Sequence, residues 1–178
     1  MRKKILITGG AGFIGSNLID YLIGDDNIEL IRVIDNLSNG SKFNLSRFFT
    51  NKKFEFIEGD IRNYDSCLES IKDIDLVSHQ AALGSVPRSI EDPSTSFEVN
   101  IMGTLNILRA SKENNVERVV MAFSSSSYGD SEFLPKKEYL IGDPLSPYAI
   151  TKLNNEHQAF VFNKIYGLNF IGLRYFNV

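Results

Sequence analysis

Lys4-Ile-Leu-Ile-Thr-Gly-Gly-Ala-Gly-Phe-Ile-Gly-Ser-Asn17 decides the fold of this chain, because it joins an apolar strand to a helix through glycines at 9, 12 and 15. A strand over Lys4 to Thr8 must turn sharply at Gly9. The missing side chain at Gly12 lets a pyrophosphate reach the backbone, and Gly15 lets the helix Phe13 to Ile23 pack closely, with its free N–H groups and positive end toward the phosphates. A second apolar strand, Glu29 to Asp35, ends in a carboxylate about twenty residues beyond Gly15, where an adenosine ribose presents its hydroxyls. That acid favours NAD over NADP, since it repels a 2′-phosphate. The spacing is Gly-x-x-Gly-x-x-Gly, and strand, glycines, helix, second strand and acid follow in order within about 30 residues.

Outward from this unit the same alternation continues. Ser38-Asn-Gly-Ser41 marks a loop, Lys52 to Glu58 reads as a third strand ending at Gly59-Asp60, and Asn63 caps a helix running to about Lys72. Asp75 to His79 is a fourth strand, followed by the small residues Gln80-Ala-Ala82 and a loop carrying Pro87 and Pro93. A helical pattern from about Ser94 to Asn114 places Phe97, Val99, Ile101, Leu105 and Leu108 on its apolar face. Arg118 to Phe123 is a fifth strand running into Ser124-Ser-Ser-Ser127. A loop with Pro135, Pro144 and Pro147 leads to a helix over roughly Tyr148 to Tyr166, closed by Gly167, and Asn169 to Tyr175 is a sixth strand. This order predicts an α/β chain: one doubly wound parallel sheet of Rossmann type, helices on both faces, with ligand beyond the carboxyl ends of the strands.

Composition narrows the function classes. A chain of 178 residues buries one sizeable core, and 43% hydrophobic with 23% charged residues is the balance of a folded globular chain rather than a disordered one. No apolar run approaches the 18 residues of a membrane span, and Met-Arg-Lys-Lys enters a strand with no signal-peptide core, so the expected location is the cytoplasm. A net charge of −3 gives no electrostatic case for nucleic acid, and Lys52-Lys53 and Lys136-Lys137 read as solvated loops. Cys67 is alone, so neither a disulfide framework nor a cysteine metal site is available; it is expected to pack near Leu68 and Ile71. His79 and His157 lack the company of metal ligands, and neither is assigned to catalysis.

The chemistry lies at 148 and 152. Tyr148 and Lys152 stand four apart at the start of a helix, so they share one face. A phenol with an ordinary pKa near 10 is a poor base at neutral pH, but a neighbouring ammonium lowers it, and an oxidised nicotinamide adds a second positive charge. Tyr148 is then a candidate general base and acid. The serines 124–127 follow the fifth strand at the ligand edge, where a hydroxyl can bond the oxygen whose proton moves.

Gly9-x-x-Gly12-x-x-Gly15, Asp35, the serines before Tyr128-Gly129, Tyr148-x-x-x-Lys152 and Arg174-Tyr-Phe-Asn177 together resemble the extended short-chain dehydrogenase/reductase superfamily, in its NAD-dependent nucleotide-sugar epimerase/dehydratase branch, over the entire chain. Gln80-Ala-Ala-Leu-Gly-Ser-Val-Pro-Arg-Ser-Ile-Glu-Asp-Pro93 is similar to the UDP-N-acetylhexosamine 4-epimerases. The resemblance implies a catalytic Ser124, with Ser125 or Ser126 as alternatives, the base Tyr148, and Lys152 on the nicotinamide ribose. For the cofactor it implies Gly9, Gly12, Phe13, Ile14 and Gly15 at the phosphates, Asp35, Asn36, Ser38, Asn39 and Gly40 at the adenosine ribose, and Asp60 and Ile61 at the adenine. Gln80, Ala81, Ala82 and Leu83 after the fourth strand, Asn100 beside the nicotinamide-side pocket, and Tyr175 complete that set. Ser85, Asn177 and the serines 124–126 fall near the sugar; Arg88 lies in the matching stretch, and no role follows for it.

Dehydratases of the branch carry Asp-Glu where Ser125-Ser126 stand here, which speaks for epimerisation. The implied reaction is redox-neutral: C4 of a UDP-sugar is oxidised to a ketone on bound NAD, the keto sugar turns over, and reduction gives the C4 epimer. A dehydratase or decarboxylase of the superfamily, or an NAD-binding module without catalysis, is the alternative reading. Family members continue past the sixth strand into a lobe that grips nucleotide and sugar, so residues 1–178 read as the NAD-binding domain of a longer protein. In the family the helices corresponding to 94–114 and 148–166 pair across a two-fold axis, so the resemblance implies a homodimer joined by a four-helix bundle.

Overall fold

The computed structural model describes residues 2–178. Its strands are β1 (Lys3–Thr8), β2 (Ile28–Asp35), β3 (Phe54–Glu58), β4 (Leu76–His79), β5 (Arg118–Ser124) and β6 (Phe170–Tyr175), all parallel, in the order β3-β2-β1-β4-β5-β6. Parallel strands covered on both faces must be apolar at successive positions rather than at alternate ones. Ile5-Leu6-Ile7 meets that condition, with all three side chains buried. Thr8 is level with Ile34 on one side and His79 on the other, so three strand ends line up at the same edge.

The helices α1 (Phe13–Leu22) and α2 (Lys42–Leu45) cover one face, where Ile19 and Leu45 pack on Ile7, Ile31 and Val33. On the other face α3 (Tyr64–Ile71), α6 (Thr104–Glu113) and α7 (Pro147–Tyr166) bury Cys67, Ile71, Ile107, Leu108 and Ala159 against Leu6, Val77, Val119 and Met121. Each fully buried Leu or Ile stabilises the fold by about 1.5–3 kcal/mol. Asn63 caps α3 as expected, its Oδ1 accepting the Ser66 N–H at 2.9 Å, and Gly167 closes α7 in the left-handed conformation.

Three stretches depart from the sequence expectation. Residues 86–91 form a short helix, α4 (Val86–Glu91), where a loop was expected: Pro87 sits in its first turn, where no N–H is needed, and Ser85 caps it. Residues 42–45 form the unforeseen α2. The pattern from 94 to 114 is α5 (Pro93–Phe97) and α6 joined by a π-helical turn, Glu98–Gly103. The wider turn shifts the inward face, so Asn100, Thr104 and Asn106 are buried beside Ile107 and Leu108, while Phe97 is exposed.

Candidate functional site

A cleft of about 790 Å³ opens over the carboxyl ends of the strands, at the point between β1 and β4 where the chain reverses the direction in which it lays down the sheet. Gly9 takes φ +70°, and a Cβ there would lie 2.7 Å from the Ala81 backbone; at Gly15 it would lie 2.4 Å from the Gly9 carbonyl oxygen. Both glycines are dictated by backbone packed on backbone. At Gly12 the nearest atom is the Gly9 carbonyl oxygen, 3.3 Å away, and beyond it is open cleft, so here glycine keeps a surface bare. Gly12 begins α1 without a side-chain cap and no acid stands in the first turn, which leaves the amides of Phe13, Ile14 and Gly15 to an anion in the cleft.

At one end of the cleft Asp35 closes β2. Its Oδ2 accepts the Ala11 N–H at 2.9 Å and its Oδ1 the Leu37 N–H at 2.8 Å, so the carboxylate that lines the cleft also holds the glycine loop. Asn36, Ser38, Asn39 and Gly40 continue this wall. Opposite them Asp60 accepts from Asn36 Nδ2 at 2.9 Å and pairs with Arg62 at 2.7 Å; the Arg62 guanidinium brings its carboxyl down to about 2. Asn106 holds that turn from below, donating to the carbonyls of Ile61 and Arg62. Gln80, Ala81, Ala82 and Leu83 form the floor, and the buried Gln80 Oε1 has no protein partner. A bare phosphate loop, a carboxylate at the ribose and an unmet buried acceptor fit a dinucleotide.

The other end carries the candidate reactive groups Ser124, Tyr148 and Lys152. Ser146 caps α7, accepting the Ala149 N–H at 3.1 Å, and the Tyr148 N–H donates to Ser89 Oγ of α4 at 3.0 Å. Tyr148 therefore enters the cleft from a helix start fixed on two sides. Lys152, one turn on and 4% exposed, donates to the Ala122 carbonyl on β5 at 2.9 Å; its nitrogen is 5.9 Å from the Tyr148 ring centre, and burial lowers its pKa to about 8. Ser124 Oγ accepts from both the N–H and the hydroxyl of Ser126, at 3.1 and 2.9 Å, which leaves its own proton for the Tyr148 oxygen.

The expectation that Lys152 lowers the phenol's pKa is not met. Burial raises it, and the Ser124 hydroxyl is the group acting in the opposite sense. The ammonium lies near the ring rather than at the phenol oxygen, and burial weakens its own hold on a proton. Ser125, Ser126, Ser85, Tyr175 and Asn177 also line this end, whereas Ser127 is buried away from it. Arg88, for which the sequence offered no role, stands on the same wall.

Asn100 does not line the cleft. Fully buried in the π-helical turn, it accepts the Leu83 N–H at 2.8 Å, donates to the Leu83 carbonyl at 3.2 Å and meets Thr151 Oγ1 at 3.0 Å, so it braces the cleft floor against α7. A second brace was not foreseen. His79, 4% exposed, has Nδ1 2.7 Å from Thr8 Oγ1 and Nε2 2.9 Å from Thr104 Oγ1, and Thr8 Oγ1 accepts the Ala81 N–H at 3.1 Å. Burial first, and the Lys152 ammonium second, lower the imidazole's pKa to about 3. It is a neutral structural link between β1 and the start of α6. Cys67 is likewise inert, its thiol buried and pushed up to about 12.

A model of the NAD dependent epimerase/dehydratase family matches residues 5–178. A putative UDP-glucose 4-epimerase of Methanocaldococcus jannaschii is 40% identical over 176 residues, which are 98% of this chain and 55% of that protein. The solved UDP-N-acetylglucosamine 4-epimerase of Methanobrevibacter ruminantium, in complex with UDP-N-acetylmuramic acid, superposes with a TM-score of 0.92 at 39% identity, covering 99% of this chain and 55% of that one. The Thermus thermophilus UDP-glucose 4-epimerase complex with NAD gives 0.85 at 36%, covering 97% and 54%. The chain thus spans about half the length of the relatives it matches. Glycine loop, Asp35 and the Ser124–Tyr148–Lys152 cluster lie within the matched residues, and the chain belongs to the NAD dependent epimerase/dehydratase family.

Proposed function

We propose that this chain is the NAD-binding and proton-transferring half of a UDP-sugar 4-epimerase, of the UDP-N-acetylglucosamine/UDP-N-acetylgalactosamine type. The observation that carries the choice of reaction is the distribution of acids: among the described residues the side-chain carboxylates lining the cleft are Asp35 and Asp60, both at the end assigned to the adenosine, and none stands beside Ser124 and Tyr148. A dehydratase needs an acid there to protonate a departing hydroxyl; an epimerase does not. The sugar reading rests on the stretch Gln80 to Pro93 and on the likeness to the Methanobrevibacter enzyme.

NAD, when bound, would supply a hydride acceptor and donor, and the residues of this chain move the proton. Tyr148 takes the proton of the sugar 4-hydroxyl and later returns it; Ser124 donates to the oxygen as its charge develops; Lys152 holds the nicotinamide ribose. Burial that raises the phenol pKa makes Tyr148 a stronger base once ionised, and an oxidised nicotinamide, when bound, would add a positive charge that favours the phenolate. Ser85 and Asn177 are assigned to the sugar, and the residues that hold the nucleotide are expected in the half of the relatives that this chain does not match. Position on rigid elements is the main source of rate here.

The test is Tyr148→Phe in a protein extended to the relatives' length. It should cut interconversion of UDP-N-acetylglucosamine and UDP-N-acetylgalactosamine by about 10²-fold or more and leave NAD affinity within about twofold, because only the proton-carrying oxygen is lost. A variant turning over near the parent rate would remove Tyr148 from the mechanism. Residues 1–178 alone should bind NAD and show little turnover, since binding energy from the remote nucleotide is what positions a sugar.

A further inference from the structure

Tyr148, Lys152 and Glu156 follow each other at four-residue steps and occupy one face of α7. The first two face the cleft. The third meets Arg174 of β6 in a two-point ion pair, Nε to Oε1 at 2.9 Å and Nη2 to Oε2 at 2.7 Å, with side-chain exposures of 12% and 16%. The remaining nitrogen, Nη1, donates to the Glu138 carbonyl at 2.9 Å, in the segment that leads into α7, and the guanidinium lies 4.7 Å from the ring centre of Tyr128, at the end of the turn that begins after Ser124. Arg174 is level with Phe123 in the sheet, and the next row pairs Ser124 with Tyr175. One side chain therefore touches the helix that carries Tyr148 and Lys152, the segment preceding it, and the turn that follows Ser124.

We infer that Arg174 is a positioning residue: by holding Glu156 it sets the height of α7 on the sheet, and with it the place of Tyr148 and Lys152 relative to Ser124. The inference rests on the reading of Tyr148 and Lys152 as the reacting pair. Two consecutive turns of one helix face are tied to two adjacent strands, Lys152 to β5 and Glu156 to β6. Asn100 at Thr151 and the Ile101 carbonyl at Gln158 hold α7 to the π-helical turn, while Lys152 and Glu156 tie it to the strands, and a planar two-point pair fixes the second of these ties in a way a lysine's single charge cannot.

The seal around Lys152 reports this. The titratable groups facing its ammonium are Tyr148 on its own helix and the neutral His79 on β4, and burial is the cause of its lowered pKa. The experiment follows the side-chain 15N resonance of Lys152 against pH in the 178-residue chain, assigned with Lys152→Met, in Arg174→Lys, Arg174→Ala and Glu156→Gln. Loosening α7 admits water, so the titration midpoint should rise from about 8 toward the ordinary 10.5, by about one pH unit or more in Arg174→Ala and by a smaller but resolved amount in Glu156→Gln, whose amide keeps one acceptor oxygen and turns a donor toward the guanidinium. NAD affinity, measured alongside by calorimetry, shows that the glycine-loop half is intact. A midpoint unmoved in a folded Arg174→Ala overturns the inference; should that variant fail to fold, an unmoved midpoint in Glu156→Gln overturns it equally. The titration needs no substrate, so its failure counts against Arg174 alone, while the epimerase reading is decided by Tyr148→Phe.

Discussion

Asp35 serves two purposes at once, and its substitution should show both. Its carboxylate lines the cleft, where the ribose is proposed to lie, and also accepts the N–H groups of Ala11 and Leu37. Asp35→Ala is expected to weaken the preference for NAD over NADP, measured by calorimetry with each cofactor, and to cost about 1–3 kcal/mol of stability in urea, because two part-buried donors lose their acceptor. Equal affinity of the parent chain for both cofactors would remove the ribose role. His79 sets a different expectation. Its imidazole is held near 3 in the fold against 6.5 when exposed, so between these values the unfolded chain binds the additional proton and stability falls as pH falls. The slope from this residue approaches about 1.4 kcal/mol per pH unit. Asp60, held to about 2, adds its own loss only below 3.8. Urea midpoints taken from about pH 7 to about pH 4 should therefore decline in the parent and flatten in His79→Gln.

Among elements, the glycine loop and the start of α1 separate folding from binding. A methyl group at 15 would lie 2.4 Å from a carbonyl oxygen of the loop itself, so Gly15→Ala should lower the thermal midpoint sharply. One at 12 would lie 3.3 Å from the Gly9 carbonyl oxygen, a tight contact that a shift of a few tenths of an ångström relieves, and would project into the cleft, so Gly12→Ala should lower the thermal midpoint far less than Gly15→Ala and bind NAD at least about tenfold more weakly. The opposite pattern would reverse the roles read for the two glycines. These elements were legible in the sequence because they are local: strand, glycines, helix and Tyr148-x-x-x-Lys152 each declare themselves within a few turns. What escaped was non-local or polar. The π-helical turn hid because its inward face is built from Asn100, Thr104 and Asn106, which the apolar pattern does not count. The link from Thr8 to His79 spans 71 residues and that from Arg174 to Glu138 spans 36, and no spacing rule joins such pairs. The direction of the phenol's pKa shift was misjudged because burial depends on packing, which the four-residue spacing does not contain.

At the scale of the whole molecule, the outer surfaces of the helices flanking the cleft carry Met102, Ile150, Phe160, Val161 and Ile165, each more than 40% exposed. A two-fold pairing of these helices would cover that surface, and a dimer is the expected state at tens of micromolar, with Phe160→Glu and Ile165→Glu together giving monomer by light scattering. A parent that is monomeric throughout this range would exclude the pairing for residues 1–178.

The strand order also has a consequence in time. The chain builds β1, β2 and β3 outward in one direction, then returns to the centre and builds β4, β5 and β6 outward in the other, so the sheet consists of two consecutive halves meeting along a seam. Thr8 and Gly9 lie on one side of that seam, Gln80 and Ala81 on the other, and closing it brings together residues some seventy positions apart, the costly step in chain entropy. The cleft exists only once the seam is shut. A ligand lying across it binds neither half alone and stabilises only their union, so the cofactor acts as a clasp: its occupancy should register as a later unfolding of the sheet as one unit, not of either half.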